Sequence, residues 1–87
     1  MPIDSVWYVY ILKTKNGQLY TGMTNNIEKR LRRHKQGKGA RFTRIFGVDQ
    51  LVYSHEFPTR VEAMRREAKI KTWPRTKKIA LIEGKIE

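Results

Sequence analysis

Val6-Trp7-Tyr8-Val9-Tyr10-Ile11-Leu12-Lys13-Thr14-Lys15-Asn16-Gly17-Gln18-Leu19-Tyr20-Thr21-Gly22 is the stretch on which the fold turns. Val6 to Lys13 is aromatic and β-branched and is apolar at odd and even positions alike, the pattern of a strand covered on both faces and therefore central. Asn16-Gly17 marks a hairpin into a second strand, Leu19 to Gly22. The turn type sets where the tyrosines point. A two-residue type I′ loop pairs Lys15 with Gln18 and sends Tyr10 and Tyr20 to opposite faces. A three-residue loop, Lys15-Asn16-Gly17 with Gly17 left-handed as a bulge, pairs Leu12 with Tyr20 and Tyr10 with Gly22, so that both phenols share a face. We expect the bulged register, with Gly22 leaving open space opposite Tyr10.

Working outward, Asn25 followed three residues later by Glu28 resembles a capping box, and Gly37 is a stop signal, which predicts a helix over about Asn26 to Gln36. At about 100° per residue, Ile27 and Leu31 form its apolar stripe, Arg30 and His34 border it, and Lys29, Arg32 and Arg33 face water. Gly37-Lys38-Gly39-Ala40 reads as flexible and Arg41-Phe42-Thr43-Arg44 as a loop. Gln50 to Phe57 reads as a third strand, Leu51, Tyr53 and His55 alternating against Val52, Ser54 and Glu56, and Pro58 ends it. Thr59 with Glu62 opens a helix that runs to about Thr72 before Trp73-Pro74. Its inward arc takes in Val61, Ala63, Met64, Ala68 and Ile70 and encloses Glu67, while Glu62 faces water. Arg75 to Glu83 is a short last helix with Ile79, Ala80 and Ile82 inward and Gly84 as its stop. The expected fold is α/β (α+β), one domain over 1–87 in which helices flank a three-stranded antiparallel sheet in the order β-β-α-β-α-α.

Nineteen Lys and Arg against eight Asp and Glu leave a formal charge of +11 over 87 residues. A field of that sign favours a polyanion. The charge falls in two blocks, ten residues between Lys13 and Arg44 and eight between Arg60 and Lys78, with none from Ile45 to Thr59. The absence of cysteine removes disulfides and thiolate zinc sites, and His34 and His55 alone do not make a His-rich metal site. No apolar run approaches the ~20 residues of a bilayer span, and Asp4 sits where a signal peptide would be apolar. The expectation is a soluble cytoplasmic protein with no membrane and no small-molecule cofactor.

Tyr8-Val9-Tyr10, then Tyr20-Thr21-Gly22, then Arg30 ten residues after Tyr20 with His34 one turn on, then Glu67 on a later helix: this ordered set resembles the GIY-YIG nuclease superfamily. Over nearly its whole length the chain is similar to the small stand-alone, uncharacterised members of that group. Taken singly, each residue has a packing or surface explanation, and the order carries the resemblance. It implies a metal-dependent endonuclease that hydrolyses phosphodiester bonds in DNA, structured, branched or damaged, through Tyr10, Tyr20, Arg30, His34 and Glu67. Glu67 would hold one Mg²⁺ or Mn²⁺, a tyrosine would help deprotonate the attacking water, and Arg30 would bind the scissile phosphate. A free phenol, with a pKa of about 10, is a poor base near neutrality unless cations such as Arg30 or the metal depress it. Tyr10 is expected as the base and Tyr20 as its positioning partner, because of the space left by Gly22; the reversed assignment stays open.

Lys29, Arg33, Lys38, Arg41, Arg44 and Lys71 are the expected nucleic-acid contacts, to DNA more than RNA. Phe42 either stacks on a base or anchors its loop, and Trp73 closes the core. With no second domain expected, target recognition would fall to a partner protein. The chain departs from the family pattern at Tyr8, which replaces Gly, at Thr21, which replaces Ile, and in having no Asn after Asn26. The alternatives from other classes are a non-catalytic DNA- or RNA-binding module and an RNA- or ribosome-associated basic protein.

Overall fold

The computed structural model describes residues 6–87; Asp4, whose charge argues against a signal peptide, lies outside them. β1 (Trp7–Thr14) is the central strand, paired antiparallel with β2 (Leu19–Thr24) on one side and β3 (Val48–Phe57) on the other. Its side chains divide by parity. Val9 and Ile11 bury against α3 (Arg60–Lys71) and α4 (Arg75–Ile82) through Ala63, Ile70 and Leu81, whereas Tyr10 and Leu12 bury against Ile27 and Leu31 of α1 (Ile27–Lys35). Four consecutive residues, Val9 to Leu12, are thus no more than 2% exposed. Full burial of each aliphatic side chain contributes on the order of 1.5–3 kcal/mol, which makes β1 the strand around which both cores condense.

The hairpin has the bulged register. Tyr10 pairs with Gly22 and Leu12 with Tyr20, and Gly17 takes φ 84°, a conformation that a residue with a Cβ adopts only at a cost. Thr14 closes the loop twice, its N–H donating to the Gln18 carbonyl at 2.8 Å and its Oγ1 accepting from the Gln18 N–H at 2.9 Å.

Five expectations are corrected. The cap of α1 is Asn26, not Asn25: the Asn26 side chain accepts from the Lys29 N–H at 3.0 Å. Residues 41–46 form a helix, α2 (Arg41–Phe46), not a loop. Along β3, register shifts leave Val52 and Asp49 without a partner on β1, so Leu51 joins Tyr10 and Leu12 while Tyr53 joins Val9 and Ile11 on the other face. A bulge inserts one residue and inverts the alternation beyond it, which is why Leu51 and Tyr53 part company. On α3 the buried line is Ala63, Arg66, Glu67 and Ile70, spaced i, i+3, i+4, i+7, while Val61 and Met64 are exposed. The Arg66 stem substitutes for them, its guanidinium lying 5.0 Å over the Trp73 ring. In α4 the deepest residue is Leu81, with Ile79, Ala80 and Ile82 partly buried.

No helix among the described residues is long and apolar enough to cross a membrane. On the α3 side of the sheet, opposite Ile11, the Thr21 hydroxyl is buried without a hydrogen-bond partner among the described residues. An unpaired buried hydroxyl costs about 1–3 kcal/mol. Thr21→Val is therefore expected to raise stability by about 1 kcal/mol, read as a higher urea midpoint at unchanged slope; a lower midpoint would mean that the hydroxyl is paired.

Candidate active site

On the α1 face of the sheet three rings meet. The Tyr10 and Tyr20 centroids lie 6.4 Å apart, Tyr10 and His34 5.9 Å, and Tyr20 and His34 5.3 Å. The sequence reasons for this are separate. The three-residue turn puts both phenols on one face, and the spacing of His34 from Ile27 and Leu31, which pack on that face, turns the imidazole inward. Gly37 and Gly39 then carry the chain back across the imidazole into α2.

His34 is 1% exposed, and each ring nitrogen has a partner: Nε2 lies 2.9 Å from the Tyr10 hydroxyl and Nδ1 lies 2.6 Å from Oγ1 of Thr43 on α2. The Tyr10 ring itself fills the space that Gly22 was expected to leave open. A Cβ at position 22 would fall 2.5 Å from the Tyr10 oxygen, and one at Gly39 would run into the imidazole. Both glycines are there for close approach, not for turning. Phe42 anchors α2 by stacking on Tyr20 at 6.1 Å, with Phe46 behind it at 5.0 Å.

The electrostatics also differ from expectation. Desolvation pushes the Tyr10 phenol up to about 12, with the Tyr20 and Glu67 charges adding to the rise and the nearby Arg30 guanidinium only opposing it. Arg30 does not win because burial disfavours the phenolate more than one cation on a solvated helix edge favours it. Burial, and then Arg30, hold the His34 imidazole below its ordinary 6.5, so the pair is neutral at physiological pH.

Arg30 links this interior to solvent. It lines a crevice with Tyr10, Leu12 and Leu31 that has no room for water, and it also lines an open groove of about 320 Å³ with Lys29, Arg33, Asn25 and Asn26. Of the other expected contacts, Lys38, Arg41 and Arg44 are exposed along the following turn and α2, whereas Lys71 is engaged with Glu67 at 3.2 Å. Glu67 is the inward carboxylate of α3, its side chain only 18% exposed. Among the described residues no three His, Asp or Glu side chains gather at one point. That donor set does not suit an ion that needs a cage of protein ligands, but one hard carboxylate suits Mg²⁺ or Mn²⁺, which keep most of their waters. His55, expected to be structural, is exposed and packs edge-on against Phe57 at 4.9 Å. Trp73 closes the α3–α4 core, with the Lys77 ammonium 4.3 Å over its ring. Thr43 and Gly39 escaped the sequence reading; the one signal for them was a second glycine, at 39, too close behind the stop at Gly37 to be needed for turning.

Residues 6–80 match the GIY-YIG catalytic domain. The chain belongs to the GIY-YIG family. That family is one of endonucleases acting on nucleic acid. A UPF0213 protein of Staphylococcus saprophyticus is 51% identical over 75 residues, covering 86% of this chain and 92% of its own, and one of Oceanobacillus iheyensis is 47% identical over 81 residues, covering 93% and 94%. The solution NMR structure of a UPF0213 protein from Bacillus halodurans shares 44% identity and superposes with a TM-score of 0.59 over 90% of this chain and 83% of that one. Tyr10, Tyr20, Arg30, His34 and Glu67 all lie within the matched residues, as do the departures at Tyr8 and Thr21.

Two measurements follow from the geometry of this GIY-YIG domain. Gly22→Ala drives a methyl into the Tyr10 ring and is expected to cost about 1–3 kcal/mol by chemical denaturation; wild-type stability would mean that the ring lies elsewhere. His34 titrates lower in the folded than in the unfolded chain, so its contribution is fully present above pH 6.5 and is lost as pH falls below it, where only the unfolded state takes up the proton. Urea midpoints between pH 7.5 and 5 should fall more steeply for wild type than for His34→Gln, and parallel profiles would contradict a neutral buried imidazole.

Proposed function

We propose that this protein is a metal-dependent endonuclease acting on structured, branched or damaged DNA. The observation that carries the reading is the junction at Arg30. That residue joins a dry tyrosine–histidine cluster to a groove walled by three cations, which is what phosphodiester hydrolysis needs: a proton acceptor beside a place for phosphate.

Lys29, Arg30 and Arg33 hold the DNA backbone as charge partners, and the Arg30 fork takes the scissile phosphate. Tyr10 acts as the proton-accepting group, for a different reason than open space. A phenol raised to about 12 does not serve as a free phenolate near neutrality. It serves by relay: once DNA bound at Arg30 opens the closed crevice to the attacking water, the phenol oxygen takes that water's proton while its own proton passes 2.9 Å to Nε2 of His34. Tyr20, stacked on Phe42 and tilted against Tyr10, positions that ring. Glu67 would hold the divalent ion once Lys71 releases it, and the ion when bound supplies Lewis-acid stabilisation of the phosphate and of the leaving oxygen.

A second reading, a nucleic-acid-binding module without turnover, is favoured by one observation: Glu67 is already neutralised by Lys71 at 3.2 Å. Incubation with branched, single-stranded and duplex DNA in Mg²⁺ or Mn²⁺ separates the two. Wild type is expected to cut, branched DNA most rapidly, and Tyr10→Phe and Glu67→Ala are expected to lose roughly 100- to 10,000-fold in rate, the range for removing a proton-transfer group. Arg30→Ala should lose both rate and affinity. Equal cleavage by wild type and Glu67→Ala would identify a contaminant and sink the enzyme reading, and binding with no scission in any metal would favour the second.

A further inference from the structure

Thr43 has no place among the expected site residues and sits on a helix of six residues, yet it is 1% exposed and touches the imidazole of the cluster. Its hydroxyl has two neighbours. Oγ1 has one proton to give, and the Ala40 carbonyl, 3.0 Å away across one turn at the start of α2 and also accepting from the Arg44 N–H, can only accept it. With the proton placed there, the 2.6 Å contact to Nδ1 of His34 has one arrangement left, in which Nδ1 carries the hydrogen and Oγ1 accepts it. A neutral imidazole protonated at Nδ1 is bare at Nε2. The 2.9 Å contact to Tyr10 then runs from the phenol O–H to Nε2. The direction of the whole chain, Tyr10 to His34 to Thr43 to the Ala40 carbonyl, is set from its far end.

We propose that Thr43 is a positioning residue, fixing His34 as the Nδ1–H tautomer so that its Nε2 stands ready to receive the Tyr10 proton. The assignment deepens the endonuclease reading, on which the functional half of its consequences rests. Two features give it more weight than a buried threonine ordinarily carries. Gly39 leaves no room between the backbone and the imidazole, so the ring cannot swing away from Thr43 to find another acceptor. Phe42, the residue before Thr43, is pinned against Tyr20, so α2 is held at the site next to the threonine contact. Without the hydroxyl, the Nδ1 hydrogen has no partner in a dry interior. The imidazole then gains by carrying its hydrogen on Nε2 and donating to the Tyr10 oxygen, which reverses the first hydrogen bond and closes the acceptor that the phenol needs.

The test reads the tautomer directly. Long-range ¹H–¹⁵N correlation spectra of the imidazole nitrogens are recorded on ¹⁵N-labelled protein at pH 7.5, in a His55→Gln background so that His34 gives the sole histidine signal. The expected result for the otherwise wild-type protein is a pyrrole-type Nδ1 and a pyridine-type Nε2. Thr43→Val should shift the population towards Nε2–H, and Thr43→Ser, which keeps the hydroxyl, should restore the original pattern. In cleavage assays Thr43→Val should lose roughly 10- to 100-fold, the usual cost of removing the partner that orients a functional imidazole, with Thr43→Ser recovering most of it. A wild-type His34 that is Nε2–H overturns the proposal even if Thr43→Val fails to fold. So does a folded Thr43→Val that keeps the Nδ1–H pattern or cuts at the wild-type rate. If the protein cuts no DNA at all, the endonuclease reading fails, and the spectra still decide the role of Thr43.

Discussion

For Tyr10 and His34 to meet at 2.9 Å in a dry interior, several conditions must hold at once. The hairpin must turn in three residues, or Tyr20 leaves the face. Position 22 must lack a Cβ, or the Tyr10 ring has nowhere to lie, and position 39 must lack one for the sake of the imidazole. Ile27 and Leu31 must lie against the sheet, since their packing sets the face of α1 on which His34 turns inward. These conditions fall on β1, β2, α1 and the link into α2, so one hydrogen bond ties together elements from the first half of the chain. The second half, α3 and α4, rests on the other face of the same strand, and of the expected site residues it supplies Glu67 and Lys71.

Burial, not charge, governs the chemistry of the cluster. The chain is strongly basic, and a depressed tyrosine would be the simple expectation from so many cations. Instead the phenol is raised and the imidazole lowered, because each loses solvent and the cations stay at the rim. The two shifts act together. They keep both groups neutral and leave the proton on the phenol, which is cheap to maintain in a low-dielectric interior and holds no uncompensated charge between turnovers.

What could be read from the residues follows what is local. Asn16-Gly17, the Thr59–Glu62 cap and the stops at Gly37 and Gly84 act over three or four positions, and the register, the helices and the inward turn of Glu67 come out of them. The bulges at Val52 and Asp49 carry no mark in composition, since neither residue is a glycine; Val52 sits in an ordinary alternation, and Asp49 falls before the strand that the alternation defines. Counting hydrophobic residues placed Val61 and Met64 inward on α3. The sequence alone does not show that Trp73 recruits the Arg66 stem instead. The site was legible as a set of residue types in order, but its electrostatics were not, because desolvation is a property of the packed interior. Thr43 was invisible for a related reason: nothing nine residues after a histidine announces that a hydroxyl will meet it.

The displaced residues of β3 have a consequence beyond the faces they exchange. β3 is one of the sheet's two outer strands, and its open side would ordinarily be a template on which another chain could add a strand. Two bulges within four residues twist that edge and break its row of evenly spaced amides, and Asp49, Glu56 and the following Pro58 add charge and remove a donor along it. The irregular edge is a poor template for a strand from another copy of this chain.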